Sequence, residues 1–225
     1  EKEFTGWWND STREICQKQG MTTEEEARAR WRERREHQPS TLFEKVVTVV
    51  LHKALKDDFL VTRASSFDDY FNGADTVIVD KKTGSVVCAF DELNFNVHDK
   101  ERYPKKMEKV KEKAKKGGSH IAYGITIENE QLKMGEMKNV PMFFITLPEL
   151  ELKDILEKMN YDTSTLSEIE QQAFQGLVEC LELQMTMLDK EKLPPEVAKN
   201  FLQFHSSFKI MKDKSESFNN NYALV

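Results

Sequence analysis

Three acids frame one tight turn. Asp75 precedes the run Thr76-Val77-Ile78-Val79-Asp80, and Asp91-Glu92 close the run Ser85-Val86-Val87-Cys88-Ala89-Phe90. Both runs are rich in β-branched and aromatic residues, and the spacer Lys81-Lys82-Thr83-Gly84 is polar and ends in glycine, which is the pattern of a hairpin. If Asp80 pairs near Ser85 or Val86, Asp75 falls opposite position 90 or 91. Like charges facing each other across a ladder repel, and a carboxylate without a partner in apolar surroundings is costly. Such a cluster calls for a cation, and oxygen ligands suit a hard divalent metal. Side-chain alternation sets Asp91 with Ala89 and Leu93, and Glu92 with Phe90 and Asn94, although a bulge at the strand end would swing Glu92 round. Each acid also has an ordinary explanation. Asp91-Glu92 suit a strand end reaching solvent, and Asp75 suits an Asx-type turn after Asn72-Gly73.

The elements that must carry these acids follow from periodicity. Phe43, Val46, Val47, Val49, Val50, Leu51, Ala54 and Leu55 make a helix starting at Ser40 or Thr41, apolar nearly all round and therefore packed against a sheet. Glu44 lies in its first turn, where Thr41-x-x-Glu44 reads as a capping box. A strand over 59–63 and a polar connection through Phe67, Asp68, Asp69 and Tyr70 lead to the hairpin. A basic helix is expected over 99–116, with Tyr103, Met107, Val110 and Ala114 inward and Gly117-Gly118 as its C-cap. Strands over 120–127 and 140–146, a short one near 132–134 between them, and a helix over 148–159 complete the block. This order predicts an α/β fold with a mixed central sheet flanked by helices.

Outside that block, 1–39 reads as a charged helical extension, with Thr23 and Glu26 as a capping box and arginines through Arg35. The stripes Leu166, Ile169, Ala173, Leu177, Cys180, Gln184, Met187 and Val197, Phe201, Phe204, Phe208, Met211 predict a helical hairpin over 160–213. Packing of that hairpin on the core is the simpler arrangement, with a homodimer through the C-terminal helices as the alternative. The polar, Asn-rich stretch 214–225 reads as a mobile tail.

Composition removes several classes. A net charge of −6 speaks against a protein that coats nucleic acid by charge alone, so any such contact needs local basic patches. Cys16, Cys88 and Cys180 are odd in number and widely spaced, which fits reduced thiols rather than disulfides or zinc. No apolar run is long enough to span a bilayer, and the expectation is a soluble cytoplasmic protein. His37, His52, His98, His120 and His205 are scattered, and no GxSxG, GxxxxGK[ST] or GxGxxG motif occurs. Tyr123-Gly124 reads as packing with close backbone approach on a central strand.

The order of helical Glu44, strand-opening Asp75, hairpin, and late-strand Asp91 (or Glu92) resembles the PD-(D/E)xK nuclease-like superfamily over 40–159. The resemblance implies a restriction-endonuclease-like core and hydrolysis of nucleic-acid phosphodiester bonds with Mg²⁺ or Mn²⁺. It further implies Glu44, Asp75 and Asp91 as metal ligands, with Glu92 assisting, and DNA as a more natural partner than RNA. The chain departs from the pattern at the motif lysine. Two residues after Asp91 stands Leu93, and two after Glu92 stands Asn94. Lys106, beside the inward face of the next helix, is the candidate to replace it, ahead of Lys109 and Lys113. Arg102, Lys105, Lys109 and Lys113 would then meet the phosphate backbone. A catalytically inactive module for nucleic-acid binding or protein assembly is the alternative.

Overall fold

The computed structural model describes residues 10–36, 38–93, 101–147, 149–159, 165–188 and 192–222. Trp7, Trp8, His37, Asn94, His98, Pro148 and the chain end at 223–225 lie outside them. The chain divides into two compact units, Glu1–Leu42 and Phe43–Val225.

The first unit holds α1 (Asp10–Lys18) and α2 (Glu24–Glu36), with Cys16, Met21 and Ala27 forming a small buried cluster. The expected capping box is present. The Thr23 amide donates to Glu26 Oε2 at 3.1 Å, and the Glu26 amide donates to Thr23 Oγ1 at 3.1 Å. Arg30 is spent locally, donating to the Gln19 carbonyl at 3.0 Å.

In the second unit, the buried part of α3 (Pro39–Leu55) packs on a four-stranded sheet. Its strands are β1 (Phe59–Arg63), β2 (Thr76–Asp80), β3 (Val86–Glu92) and β6 (Met142–Ile145), in that spatial order. The first three form an antiparallel meander, and β6 runs parallel to β3. The helix α4 (Arg102–Lys115) follows β3, and Gly118 and Gly117 close its end by donating to the Lys113 and Ala114 carbonyls at 2.9 and 3.3 Å. Then come β4 (Ser119–Glu128) and β5 (Gln131–Val140), β6, α5 (Glu149–Lys158), α6 (Glu168–Leu188) and α7 (Pro195–Tyr222).

Alternation divides the sheet residues cleanly. Ile78, Cys88 and Phe90 face the core shared with α3, α6 and α7, while Val77, Val79 and Ala89 face Ile121 and Val140 of the β4–β5 hairpin. The β2–β3 turn is tied down from both sides. Asp80 Oδ1 accepts the Lys82 and Thr83 amides at 2.7 and 2.8 Å, and the Ile127 amide donates to the Gly84 carbonyl at 2.9 Å. Gly84 has φ +72°, and a Cβ there would lie 1.9 Å from the Ile127 carbonyl oxygen, so no other residue fits.

Several expectations require correction. The segment predicted as a short strand near 132–134 is part of the ten-residue β5. It pairs with β4 in a separate two-stranded sheet rather than joining the mixed one, because its exposed positions offer no apolar face for the main sheet. Tyr123 therefore sits on a hairpin strand, half exposed, and the close neighbour of Gly124 is the Met137 side chain rather than a second backbone. The polar run after Met211 continues α7 to Tyr222, since Phe218 packs edge-on to Phe174 at 6.0 Å and the Ser215 carbonyl accepts from Gln175. The predicted apolar stripes of α6 and α7 are buried largely within the chain against β3 and β6 residues, while Leu183 and Leu202 of the same helices are exposed.

One polar residue in that apolar stripe has a structural task. Gln184 is fully buried; its Oε1 accepts the Phe144 amide at 3.0 Å and its Nε2 donates to the Phe144 carbonyl at 2.6 Å. The side chain thus satisfies the outer edge of β6 as another strand would. Gln184→Leu leaves the Phe144 amide unsatisfied and its carbonyl with only the weak Cys180 Sγ donor at 3.7 Å, and the expected loss is about 2–4 kcal/mol in denaturant unfolding. A loss below about 0.5 kcal/mol would mean that the edge finds other partners.

Candidate functional site: a carboxylate cluster at the head of the central strands

The chain enters β2 through a single π-helical turn, Asp68–Asn72, which ends in Gly73 at φ 63°. That left-handed residue redirects the backbone so that the Asp75 amide donates to the Phe90 carbonyl at 2.8 Å, before the pairing Thr76↔Phe90 begins. One residue further along this register, Asp75 stands opposite Asp91. The sequence expectation that the two acids face each other across the hairpin corresponds to this pairing.

Asp75 lies at the edge of full burial, and its Oδ2 accepts the Glu92 amide at 2.6 Å. Burial pushes its pKa up to about 7 against that hydrogen bond, and the charges of Asp69, Asp91 and Glu44 push in the same direction as burial. Asp91 forms an ion pair with Lys106 of α4. Lys106 is thus brought to the acid that the sequence reading matched it with.

Glu44 and Glu92 share one cation. Arg63, the last residue of β1, reaches Glu44 Oε2 at 2.7 Å through Nη2 and Glu92 Oε2 at 2.8 Å through Nη1. The other Glu92 oxygen accepts the Thr76 hydroxyl at 2.6 Å, and the Glu92 side chain has no solvent exposure. Burial carries Glu92 up to about 8; Arg63 and Thr76 oppose the shift, while Asp75 and Glu44 add to it. Arg63 opposes the shift only weakly, because it is one-third exposed and divides its charge between two carboxylates. Both Glu92 oxygens are engaged, so Glu92 positions Arg63 and Thr76 in this arrangement rather than facing the Asp75–Asp91 pair. Glu44 is likewise turned to Arg63 instead of acting in a capping box, since α3 begins earlier, at Pro39.

The predicted basic residues of α4 separate into two groups. Lys106, Lys109 and Lys113 line a cavity of about 490 Å³ together with Asp91, Tyr70, Phe71 and His120. Arg102 and Lys105 do not line it; both are exposed, and Lys105 pairs with Glu101 at 2.9 Å. Lys113 is largely structural, donating to the Asn72 carbonyl at 2.6 Å and to Met142 Sδ at 2.9 Å. Burial lowers its pKa, partly offset by Asp91, while Lys106 and Lys109 lower it further.

Among the described residues, no three His, Cys, Asp or Glu side chains converge closely enough to enclose a metal ion. The donor type, carboxylate oxygen, is the one a hard divalent cation takes. All the groups are carboxylate oxygens, and Asp75 is a buried acid held by an amide donor while its neighbours Glu44, Glu92 and Asp91 are paired to Arg63 and Lys106.

Sequence reasoning missed Arg63, Thr76 and Asp68. An arginine closing the otherwise uncharged run Phe59-Leu60-Val61-Thr62 was the available hint for Arg63. No family model, no curated protein and no solved structure matches this chain. No helix among the described residues is long and apolar enough to cross a membrane.

Proposed function

We propose that this chain is a divergent PD-(D/E)xK-like enzyme that hydrolyses nucleic-acid phosphodiester bonds, DNA before RNA, with Mg²⁺ or Mn²⁺. The observation that carries this reading is the Lys106–Asp91 pair beside buried Asp75, which supplies from α4 the cation missing after Asp91. The order α3, three antiparallel strands, α4 and, after the β4–β5 hairpin, the parallel strand β6 is compatible with the core that the resemblance implies, and this lends the reading support.

In this reading Asp75, Asp91 and Glu44 hold the metal, which when bound polarises a phosphoryl oxygen and acidifies a water. Asp75, whose pKa burial pushes up to about 7, would have to be deprotonated to hold the cation. Lys106 leaves Asp91 to orient the water or meet negative charge on the phosphate. Arg63 holds Glu44 and, through Glu92 and its amide, the orientation of Asp75.

The test is cleavage of labelled DNA and RNA oligonucleotides with Mg²⁺, Mn²⁺ or EDTA. Metal-dependent cutting that Asp75→Ala and Lys106→Met abolish is expected. Intact substrate under every condition would overturn the proposal. One observation favours a second reading, an inactive nuclease-fold module. Arg63 and Lys106 already pair with three of the four clustered acids, Arg63 being shared by two of them. That module would bind nucleic acid in a salt-sensitive way that is indifferent to divalent ions.

A further inference from the structure

Two large rings stand in solvent beside the carboxylate cluster. Tyr70 is 77% and Phe71 55% exposed, and both line the cavity whose other wall is α4. The turn that presents them is firmly held. Asp68 beneath it is fully buried and accepts from Ser65 Oγ at 2.7 Å, Asn72 Nδ2 at 2.7 Å, and the Ala122 and Tyr123 amides at 2.7 and 3.0 Å. Phe67 braces the rings from behind, with its centroid 4.7 Å from Phe71 and 5.6 Å from Tyr123, and Tyr70 meets Phe71 edge-on at 5.0 Å. Exposed aromatic surface on a turn anchored in this way is a preformed platform rather than a frayed loop.

Opposite the platform, Lys106, Lys109 and Lys113 fall on one face of α4 at spacings of three and four. Lys106 is committed to Asp91, and Lys113 to Asn72 and Met142, which leaves the exposed Lys109 as the cation presented to an incoming group. An exposed aromatic pair facing a cation across a cavity of about 490 Å³ matches a nucleotide, a π-face joined to a phosphate. A paired base has both faces covered by its neighbours in the duplex, so only an unpaired base can lie against these rings.

We propose that this cavity binds an unpaired nucleotide of a single-stranded nucleic acid, its base on Tyr70 and Phe71 and its phosphate on Lys109. The inference rests on the phosphodiesterase reading for the class of ligand and adds to it the preference for single strands.

The experiment is fluorescence anisotropy in EDTA, so that cleavage plays no part, with short labelled DNA and RNA single strands and the matching duplex. Single strands should bind at least roughly tenfold tighter than duplex. Tyr70→Ala and Phe71→Ala should each weaken single-strand binding roughly ten- to a hundredfold with unchanged thermal midpoints, and Phe71→Trp should retain binding and be quenched by it. Equal or better duplex binding, or neutral ring removal, overturns the inference, as does a wild-type chain that binds no strand. Metal-dependent duplex cutting with neutral rings would sink this proposal and leave the hydrolase standing; ring-dependent strand binding without cutting would do the reverse. Loss of self-association in the ring variants, with no strand bound, would assign the platform to protein contact and overturn it too.

Discussion

Asp75→Asn should make the metal-free protein more stable at pH 8 and remove the proposed phosphodiesterase activity in the same step. An ordinary aspartate ionises near pH 4 in the unfolded chain. Asp75 in the fold holds its proton to about 7. Between those values the folded state carries a proton that the unfolded state has lost, so stability falls as pH rises through the window and levels off above it. The full difference corresponds to about 4 kcal/mol. Asparagine cannot ionise, yet its carbonyl oxygen can still accept the Glu92 amide that Asp75 Oδ2 accepts at 2.6 Å. We expect a gain of about 2–4 kcal/mol at pH 8, a rise of roughly 5–15 °C in midpoint, and little change near pH 4. Glu92, held up to about 8, has the same sign, so the variant retains part of the slope. Activity should fall at least about a thousandfold, because a carboxylate ligand supports several kcal/mol of transition-state stabilisation. Thermal unfolding from pH 4 to 9 with a parallel cleavage assay measures both. Equal midpoints at pH 8 would show that Asp75 is not destabilised by burial.

A second large effect lies away from the cluster. Lys53 of α3 and Glu170 of α6 are both buried, with Nζ and Oε1 2.7 Å apart and side-chain exposures of 1% and 0%. The second Glu170 oxygen accepts the Ser167 amide at 2.7 Å, which caps α6. Lys53→Met strands a buried carboxylate, and removal of one partner of such a pair costs about 3–5 kcal/mol. The double variant Lys53→Met/Glu170→Gln keeps an oxygen for Ser167 and removes the charge, so it should recover most of the loss. Denaturant midpoints of the three proteins decide the matter. A single variant within about 1 kcal/mol of wild type would show that water or another group reaches Glu170.

What could be read in advance followed from local chemistry. The apolar wrap of α3, the alternating runs of β2 and β3, and the polar turn ending in Gly84 each encode their element over a few residues. The same locality explains the misreadings. Asp68 looked like part of a polar connection because its amide donors, Ala122 and Tyr123, arrive 54 and 55 residues later. Glu44 matched a capping box because Thr41 stands three residues before it, and only the fold brings Arg63 to it instead. The strand β5 lacks an alternating apolar pattern because it is exposed along most of its length and buries only Val140. For the cluster itself, the cross-hairpin relation of Asp75 and Asp91 was countable from the turn. The sorting of Glu92 toward Arg63 and Thr76 depended on which face α3 covers, which no count along one strand reveals.

The bond between Gln184 and Phe144 also bears on how the protein is made. The carboxamide that completes β6 is translated 40 residues after the strand it serves. During synthesis, β6 therefore waits with an open flank while α5 and most of α6 are still being added. Chaperone protection would matter most in that interval, when a neighbouring nascent chain offers the amide and carbonyl that Gln184 has yet to bring.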